Sequence, residues 1–394
     1  MRKLALSVYL PTLILSLCRG LLLPVLPVYA SSFEISYSLV GLLLAGEAIG
    51  MLITDVPAGG LLRRFGRKWT MLLGIGLVGL SVASLFWSTS VWQVLALRLI
   101  TGVGEALWNL SRHAYLTEAT SSAERGRALA LFGGTTRLGI FIGPAAGGVI
   151  AASFGIRAPF LVFAALCAIA LVTVLLFIER AKDPPKLKAV TSRESGGHHP
   201  LAVLRQHYRV LGFAGSGQLL AQMIRASRQV IVPLFGVSVL GRDLPMIGLI
   251  MSISSFVDMA MFYPAGVLMD RLGRKYAIVP SFLFQALGMA LLPLSAGTAG
   301  LLGFACIIGL GNGLGSGTMM TLGSDLAPRA SLGEFLGVWR LIGDGGSMGA
   351  PLAVGAVADI LDLSTAALVM ACAGLAAAGI FAFKVPETLQ RRLA

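Results

Sequence analysis

The stretch PAGGLLRRFGRK at residues 57–68 recurs 207 residues later (264 − 57) as PAGVLMDRLGRK at residues 264–275. Both copies are rich in Gly and Arg, and both interrupt long apolar runs. They differ at an informative position, because Arg63 in the first copy stands where the second has Asp270. A phrase repeated at this distance predicts a chain made of two similar halves.

The repeated phrase belongs to a longer internal repeat. At the offset of 207 (264 − 57) the chain pairs Gly41 with Gly248, Gly59 with Gly266, Gly102 with Gly309, Gly104 with Gly311, Glu118 with Asp325, and Pro144 with Pro351. At an offset of 206 (225 − 19) it pairs Arg19 with Arg225 and Pro27 with Pro233. The duplication therefore extends over most of each half.

The composition indicates a protein that crosses a membrane many times. Of the 394 residues, 56% are hydrophobic and only 12% are charged, against about 25% charged in a soluble domain. The 49 glycines fit transmembrane helices better than soluble ones. Apolar runs of about 20 residues recur along the whole chain, which excludes a very apolar soluble enzyme.

The apolar runs predict an all-α membrane protein with twelve transmembrane helices in two six-helix halves. The predicted spans are 5–30, 36–62, 70–88, 92–113, 128–152 and 158–179, then 208–237, 244–270, 276–294, 299–323, 333–357 and 363–384. Residues 1–180 form an N-terminal six-helix bundle, 181–206 a polar cytoplasmic linker, and 207–394 a C-terminal six-helix bundle. Because six is even, the halves share one orientation and form a parallel repeat.

The net charge of +13 has a topological explanation. Most Lys and Arg residues fall on alternate loops and at the termini, which is the pattern of the positive-inside rule. It places both termini and the loops with Arg67, Arg125, Lys186 and Arg274 in the cytoplasm of a multi-pass inner (plasma) membrane protein. Anionic lipid headgroups account for the basic surface, so we expect membrane lipids as partners and no nucleic acid.

The sequence contains no motif that predicts an enzyme active site or a metal site. Cys18, Cys167, Cys306 and Cys372 all fall within apolar spans without metal-ligand spacing, so neither disulfides nor a metal site are expected. There is no G-x-x-x-x-G-K-[ST] phosphate loop. We therefore expect no catalytic residues and no cofactor, with a proton gradient as the energy source.

Three motifs carry a family resemblance. The second copy of the loop phrase fits Gly-x-x-x-Asp-Arg-x-Gly-Arg-Lys in full, at Gly266, Asp270, Arg271, Gly273, Arg274 and Lys275, whereas the first keeps Gly59, Arg64, Gly66, Arg67 and Lys68. RLITGVGEA supplies Arg98, Gly102, Gly104 and Ala106, and GIFIGPAAGG supplies Gly139, Gly143, Pro144, Gly147 and Gly148. With these motifs nearly the whole chain resembles the major facilitator superfamily, and its drug/proton antiporter branch in particular.

The resemblance implies a central cavity lined by the first, fourth, seventh and tenth helices. It also implies a cytoplasmic gate at the two loop phrases, formed by Gly59, Arg63, Arg64, Gly66, Arg67, Gly266, Asp270, Arg271, Gly273 and Arg274. The arginines could equally serve only topology and headgroup binding. Since Arg63 replaces the usual acid, either Asp55 takes part of its role or the seal depends on Asp270.

Small residues predict a close helix contact in the fifth span. Gly139, Gly143 and Gly147 share one helix face, where small residues let backbones touch, and Pro144 removes a helix hydrogen bond and can bend the span. With Gly148, these residues are candidates for a hinge and interface between the halves; ordinary tight packing is the alternative.

Ionisable residues within the spans are the main candidates for function, because charges at membrane depth are costly. They are Arg19, Glu47, Asp55, Arg98, Glu105, Arg137, Arg225, Arg228, Asp258, Arg340 and Asp344, and we assign them to the substrate and proton pathway. Arg98 and Glu105 share a face with Asn109 and are interpreted as a couple in which protonation of Glu105 frees Arg98.

Proton coupling needs a carboxylate that can be protonated within the membrane. Glu47, Asp55, Glu105 and Asp258 qualify by position, and we expect Glu105 with either Glu47 or Asp55 to carry the proton; each could instead be a permanently paired structural ion. Arg340 and Asp344 are four apart and can pair within their own helix.

The function predicted is alternating-access export of small amphipathic molecules or drugs in exchange for protons, by a monomer. Uptake of an organic anion or sugar-like metabolite by proton symport is the alternative that an arginine-rich cavity would suit. A lipid flippase or a non-transporting sensor is a further alternative.

Overall fold

The computed structural model describes residues 5–119, 125–178, 208–328 and 331–389, and these residues are almost entirely helical. In the first half α1 covers Leu10–Ser31. One long helix, Tyr37–Ser84, is broken at Gly66, whose φ of 76° and ψ of 169° are not helical. We number its two arms α2 (37–65) and α3 (67–84). Then follow α4 at Val91–Ala119, α5 at Arg125–Phe154 and α6 at Ala158–Phe177.

The second half repeats the series. Its helices are α7 at Tyr208–Leu234, α8 at Leu244–Arg271, α9 at Arg274–Leu291, α10 at Thr298–Leu314, α11 at Leu332–Ile360 and α12 at Leu363–Phe383. Helix α10 is interrupted and resumes over Thr318–Leu326, after Gly317 takes a left-handed φ of 75°. The twelve predicted helices are confirmed, whereas the break within α10 was not predicted.

Ten of the spans in the described part of the chain are long and apolar enough to cross a membrane. Helices α4 and α7 fall short of that criterion because they carry charged and amide side chains in place of apolar ones. The cost of such residues in a bilayer is tolerated only where they face protein or water. These two helices are therefore where a functional site is expected.

The chain divides into two compact units. The first holds α1–α6 and residues 236–252, and the second holds α7 and the residues from Ile253 onward. Each packs its helices in the same pairs: α1 with α5 and α6 and α3 with α6 in the first, α7 with α11 and α12 and α9 with α12 in the second. The predicted boundaries at 180 and 207 stay a prediction, and the linker 181–206 lies outside the described residues.

The glycine stripe of α5 packs against α1. Gly143 lies directly against the backbone of Gly20, and a Cβ on Gly147 would overlap the carbonyl of Leu21. Gly148 faces the carbonyl of Leu244, at the start of α8 and within the same unit. The predicted close helix contact is therefore present. The hinge role of Gly139, Gly143, Pro144, Gly147 and Gly148 stays a prediction.

Gly147→Ala is expected to destabilise the protein by about 1–3 kcal/mol, because the added methyl forces α1 and α5 apart. Gly133→Ala on the same helix is the matched control, since a Cβ there meets no atom within 4 Å. The thermal unfolding of both purified variants measures the difference. An equal effect of the two substitutions would show that the α1–α5 contact is not tight.

Candidate functional site

Four charged side chains of the first unit meet between α1, α2 and α4. Arg98 Nη2 lies 2.5 Å from Glu47 Oε2, and Arg19 Nη2 lies 3.3 Å from Glu47 Oε1. The same Arg19 nitrogen lies 3.3 Å from Glu105 Oε2. The side chains of Arg98 and Glu105 are only 6% and 7% exposed, whereas that of Arg19 is 47% exposed. Two carboxylates therefore share one partly accessible guanidinium.

Glycines allow this cluster to form. Gly102 on α4 faces the carbonyl of Glu47, and a Cβ on Gly46 would lie 3.1 Å from Cβ of Arg98. Without side chains at these positions α2 and α4 approach closely enough for Glu47 to reach Arg98. The fourth-span motif thus contributes both the cation and the space beside it.

The cluster continues along α4 through Asn109. Asn109 Nδ2 donates to Glu105 Oε2 at 3.4 Å, and Arg112 Nη2 donates to Asn109 Oδ1 at 2.8 Å. The Arg112 guanidinium lies 5.4 Å from the ring centre of Trp108 and 4.5 Å from that of Phe132, which is the geometry of cation–π stabilisation. Arg112 was not among the residues predicted from the sequence, although its seven-residue spacing from Glu105 repeats that between Arg98 and Glu105.

The predicted couple of Arg98 with Glu105 is wrong. Residues seven apart share a helix face but lie about 10 Å apart along the axis, two turns away. The neighbouring helices offer closer partners, so Arg98 pairs with Glu47, and Glu105 pairs with Arg19. Protonation of Glu105 would therefore release Arg19 and not Arg98.

The second unit holds a different cluster at α7, α8 and α10. Asp258 Oδ2 lies 3.3 Å from Arg228 Nη2 and accepts a hydrogen bond of 2.6 Å from Asn312 Nδ2. Arg225 donates to the carbonyl of Gly315 at 2.7 Å, where α10 is interrupted. The repeat offset places Asn312 at the position of Glu105 (105 + 207). Arg225, the counterpart of Arg19, thus meets a backbone carbonyl where Arg19 meets a carboxylate.

The other predicted pathway residues lie apart from these two clusters. Asp55 is exposed on α2, eight residues beyond Glu47 and so about 12 Å along the axis. Arg137 is half-buried on α5. Arg340 Nε and Asp344 Oδ2 are 3.5 Å apart with side chains 64% and 51% exposed, which confirms the predicted pairing within α11.

The first copy of the loop phrase forms the break between α2 and α3. Gly66 supplies the left-handed turn, and Arg63 and Arg64 are exposed. Arg67 lies over the ring of Tyr115 at 5.4 Å, and Lys68 donates to the carbonyl of Leu175 at 2.7 Å. The side chain of Glu118, the counterpart of Asp325, lies outside the described residues.

In the second copy of the loop phrase, Arg274 pairs more closely with Asp325 than with Asp270, the acid that the motif favours. Arg274 Nε lies 3.0 Å from Asp325 Oδ2, whereas its Nη1 lies 3.5 Å from Asp270 Oδ1, and the Asp270 side chain is 79% exposed. Asp325 is the closer and better buried partner. The gating role of both copies stays a prediction.

Glu387, after the end of α12, caps the start of α9. Its carboxylate accepts the backbone N–H of Arg274 at 2.9 Å and that of Lys275 at 3.0 Å, next to Gly273 with its φ of 129°. Partial burial acts to raise the pKa of Glu387, but the N–H groups of Leu389, Lys275, Arg274 and Thr388 together outweigh it and lower that pKa. A carboxylate is favoured at the positive end of the helix dipole.

Glu387→Gln is expected to lower stability at neutral pH by roughly 0.3–1 kcal/mol, because the helix start loses its anion. Since the folded pKa is the lower one, this contribution is complete above the unfolded value of about 4.3 and is lost as pH falls through the folded pKa. Thermal unfolding at neutral and acidic pH should show a difference from the unmodified protein that disappears in acid. A difference of constant size would contradict the role of the charge.

The model of the Major Facilitator Superfamily matches residues 8–224 and again residues 214–394. The chain belongs to the Major Facilitator Superfamily. The two matches cover both halves of the repeat, so each half is separately similar to the family model. This accounts for the loop phrase being present twice.

Several relatives within the superfamily are drug-resistance proteins. The chain is 36% identical to multidrug resistance protein 2 of Bacillus subtilis over 41% of its length and 40% of that relative's length. It is 27% identical to the class C tetracycline resistance protein of Escherichia coli over 75% of the chain and 74% of that protein. Over 91% of the chain and 92% of the relative, it is 21% identical to an uncharacterised superfamily transporter of Methanocaldococcus jannaschii.

Solved structures agree with the fold. A nucleoside transporter superimposes with a TM-score of 0.80 at 16% identity, over 96% of this chain and 98% of that one. A POT family transporter crystallised with 5-aminolevulinic acid superimposes with a TM-score of 0.77 at 12% identity, over 96% of this chain and 95% of that one. The protein is a multi-pass membrane transporter of the Major Facilitator Superfamily and not an enzyme.

Proposed function

We propose that this transporter exports small amphipathic molecules in exchange for protons, by alternating access. The observation that carries the proposal is the sharing of Arg19 between Glu47 and Glu105. The drug-resistance proteins among its relatives support the substrate class. We further propose a monomer in the inner (plasma) membrane, with both termini in the cytoplasm, that draws its energy from the proton gradient and needs no cofactor.

Glu105 is the carboxylate best placed to exchange its proton. Glu47 contacts two guanidiniums, at 2.5 Å and 3.3 Å, whereas Glu105 contacts one guanidinium, that of Arg19, which it shares with Glu47. Protonation of Glu105 therefore breaks one ion pair and leaves the Arg98–Glu47 pair intact. Arg19 in turn keeps Glu47, so neither cation is left without an anion.

Exchange follows from the charge balance of the cluster. With both carboxylates ionised, Arg19 and Arg98 are balanced by Glu47 and Glu105, and Arg112 adds one positive charge. Protonation of Glu105 raises this excess to two positive charges. A cationic or dipolar substrate is disfavoured in the protonated state and favoured in the ionised one, since like charges repel strongly at low dielectric. Proton and substrate thus compete for one carboxylate, which is the requirement for antiport.

The symport alternative loses the observation that favoured it. An arginine-rich cavity would attract an organic anion only if its guanidiniums lacked counter-charges. Arg19 and Arg98 are paired with glutamates and Arg228 with Asp258, while Arg225 is bonded to a backbone carbonyl. With Arg112, which is held by Asn109 and two aromatic rings, the two clusters contain five arginines and three carboxylates, so most of their positive charge is balanced.

Proteoliposomes with an imposed pH gradient test the proposal. A fluorescent lipophilic cation such as ethidium should accumulate on the acidic side, and a protonophore should abolish the accumulation. Accumulation on the alkaline side would indicate symport. Absence of flux for a broad panel of amphipathic compounds would favour a sensor, and transport of labelled lipid alone would favour a flippase; each of these results contradicts the proposal.

A further inference from the structure

Arg112 is a cation of the predicted fourth span to which the proposed exchange assigns no role of its own. Its guanidinium lies 4.5 Å from the ring centre of Phe132 and 5.4 Å from that of Trp108, and its Nη2 donates to Asn109 Oδ1 at 2.8 Å. In the described part of the chain these contacts hold Arg112, and not an ion pair with a carboxylate. A charge at membrane depth is costly, so it points to a functional role.

The Arg112 guanidinium fixes the orientation of the Asn109 amide. An arginine side chain has N–H donors and no acceptor, so the amide oxygen must face Arg112 and the amide nitrogen faces away from it. Asn109 Nδ2 accordingly donates to Glu105 Oε2 at 3.4 Å. If the amide turned over, its N–H groups would meet the N–H groups of Arg112. Asn109 therefore offers Glu105 a donor and not an acceptor.

A fixed donor distinguishes between the two states of Glu105. A hydrogen bond to a carboxylate is roughly twice as strong as one to a neutral group, so the Asn109 N–H stabilises ionised Glu105 more than the protonated acid. The protonated acid would gain from an amide oxygen that accepts its O–H, but Arg112 already holds that oxygen. The contact with Asn109 thus favours the ionised state.

We propose that Arg112 is a positioning residue for proton exchange, which locks the Asn109 amide and thereby sets the pH at which Glu105 takes up its proton. The rings of Trp108 and Phe132 stabilise the guanidinium without an anion, so no carboxylate competes with Asn109 for it. The inference rests on the proposed role of Glu105 as the proton carrier.

Other groups also act on Glu105, so the effect of Arg112 through Asn109 has to be separated from the direct effect of its charge. The charged or titratable groups that face Glu105 from α1, α2, α4 and α6 are Arg19, Glu47, Arg98, Arg112 and Cys167. Helix α3 also packs against α4. Its cations, Arg67 and Lys68, lie at its start, on the ring of Tyr115 and the carbonyl of Leu175.

Infrared titration of the purified full chain tests the proposal, because the C=O band of a carboxylic acid appears only when the acid is protonated. The band that Glu105→Gln removes belongs to Glu105. Asn109→Leu should raise the pH at which this band is half-developed by about one unit, since ionised Glu105 loses a hydrogen bond. Arg112→Gln should raise it in the same direction. Where Asn109→Leu does not fold, Asn109→Ser takes its place, because the shorter serine side chain cannot bridge Arg112 and Glu105.

Arg157→Gln is the matched control, since it also removes an arginine that lies over an aromatic ring of the first unit. That ring belongs to Tyr29, ten residues (29 − 19) beyond Arg19 on α1 and so about 15 Å away along the axis. The control should leave the titration of the Glu105 band unchanged. Thermal unfolding of each variant confirms that it is folded.

The double variant Asn109→Leu with Arg112→Gln separates the two routes. If Arg112 acts through Asn109, the double variant should shift the titration by clearly less than the sum of the two single shifts. A shift equal to that sum, or no shift in either single variant, would overturn the proposal while Glu105 still titrates. A Glu105 band that does not titrate at all would contradict the proposed function and this inference together.

Discussion

Replacing Glu47 by glutamine is expected to destabilise the transporter by roughly 3–5 kcal/mol, because it leaves a buried cation without its anion. Arg98 is the cation affected, since its side chain is 6% exposed and its ion pair to Glu47 is 2.5 Å long. Glu105 cannot replace Glu47, because it is two turns of α4 away from Arg98. Thermal and denaturant unfolding of the purified variant measure the loss.

Two further variants make this prediction specific. The double variant Glu47→Gln with Arg98→Met should recover most of the lost stability, because it removes the unpaired charge as well. Asp344→Asn breaks an ion pair whose side chains are 51% and 64% exposed, and should cost about 0–1 kcal/mol. If Glu47→Gln and Asp344→Asn unfold alike, Glu47 does not hold a buried charge pair.

Glu105→Gln is expected to abolish proton-driven accumulation while the protein stays folded. Arg19 keeps Glu47 at 3.3 Å in this variant, so no buried cation is left unpaired. For one-for-one exchange, each pH unit corresponds to about 1.4 kcal/mol per proton and thus to about ten-fold accumulation. The variant should equilibrate substrate but show no accumulation above the external concentration.

Accumulation of a fluorescent cation in proteoliposomes is the measurement for Glu105→Gln. Glu34→Gln is the matched control, since Glu34 is exposed in the turn between α1 and α2. Proteoliposomes with this variant should accumulate substrate as those with the unmodified protein do. Undiminished accumulation by Glu105→Gln would remove this residue from the proton path. Glu47, Asp55 or Asp258 would then have to carry the proton.

The sequence was sufficient for the fold because apolar runs and the repeat depend on local pattern. Twelve spans, two similar halves and the superfamily motifs follow from residues that can be compared along the chain. The break between α2 and α3 fits Gly66 in the loop phrase. The interruption of α10 could not be foreseen, because Gly315 and Gly317 occur in a chain where glycines are common throughout its helices.

The charged residues of the site were predictable, but their pairing was not. A charged side chain at membrane depth carries a large free-energy cost, so an ionisable residue within an apolar span indicates a function. Glu47, Arg98 and Glu105 were predicted in this way. Which cation meets which anion depends on how closely α1, α2 and α4 approach, and Gly46 and Gly102 allow the close approach of α2 and α4. Spacing along α4 therefore suggested that Arg98 pairs with Glu105, whereas the packing of α2 against α4 makes Glu47 its partner.

Contacts between segments distant in sequence were missed for the same reason. Glu387 stands 113 residues from Arg274, and nothing in the local pattern indicates that it caps α9. Asp325 was identified only as the repeat counterpart of Glu118, not as the closer of the two carboxylates paired with the Arg274 guanidinium. Asp270, which the motif favours, is largely exposed.

Exchange of protons for substrate can be observed as proton movement that a substrate gradient drives. Proteoliposomes that enclose a pH-sensitive dye start with the same pH inside and outside. They are loaded with substrate and diluted into substrate-free buffer, which gives an outward gradient of substrate. We expect protons to enter as substrate leaves, so that the interior acidifies, and we expect Glu105→Gln to abolish this signal. Alkalinisation of the interior, or substrate efflux without any proton movement, would contradict it.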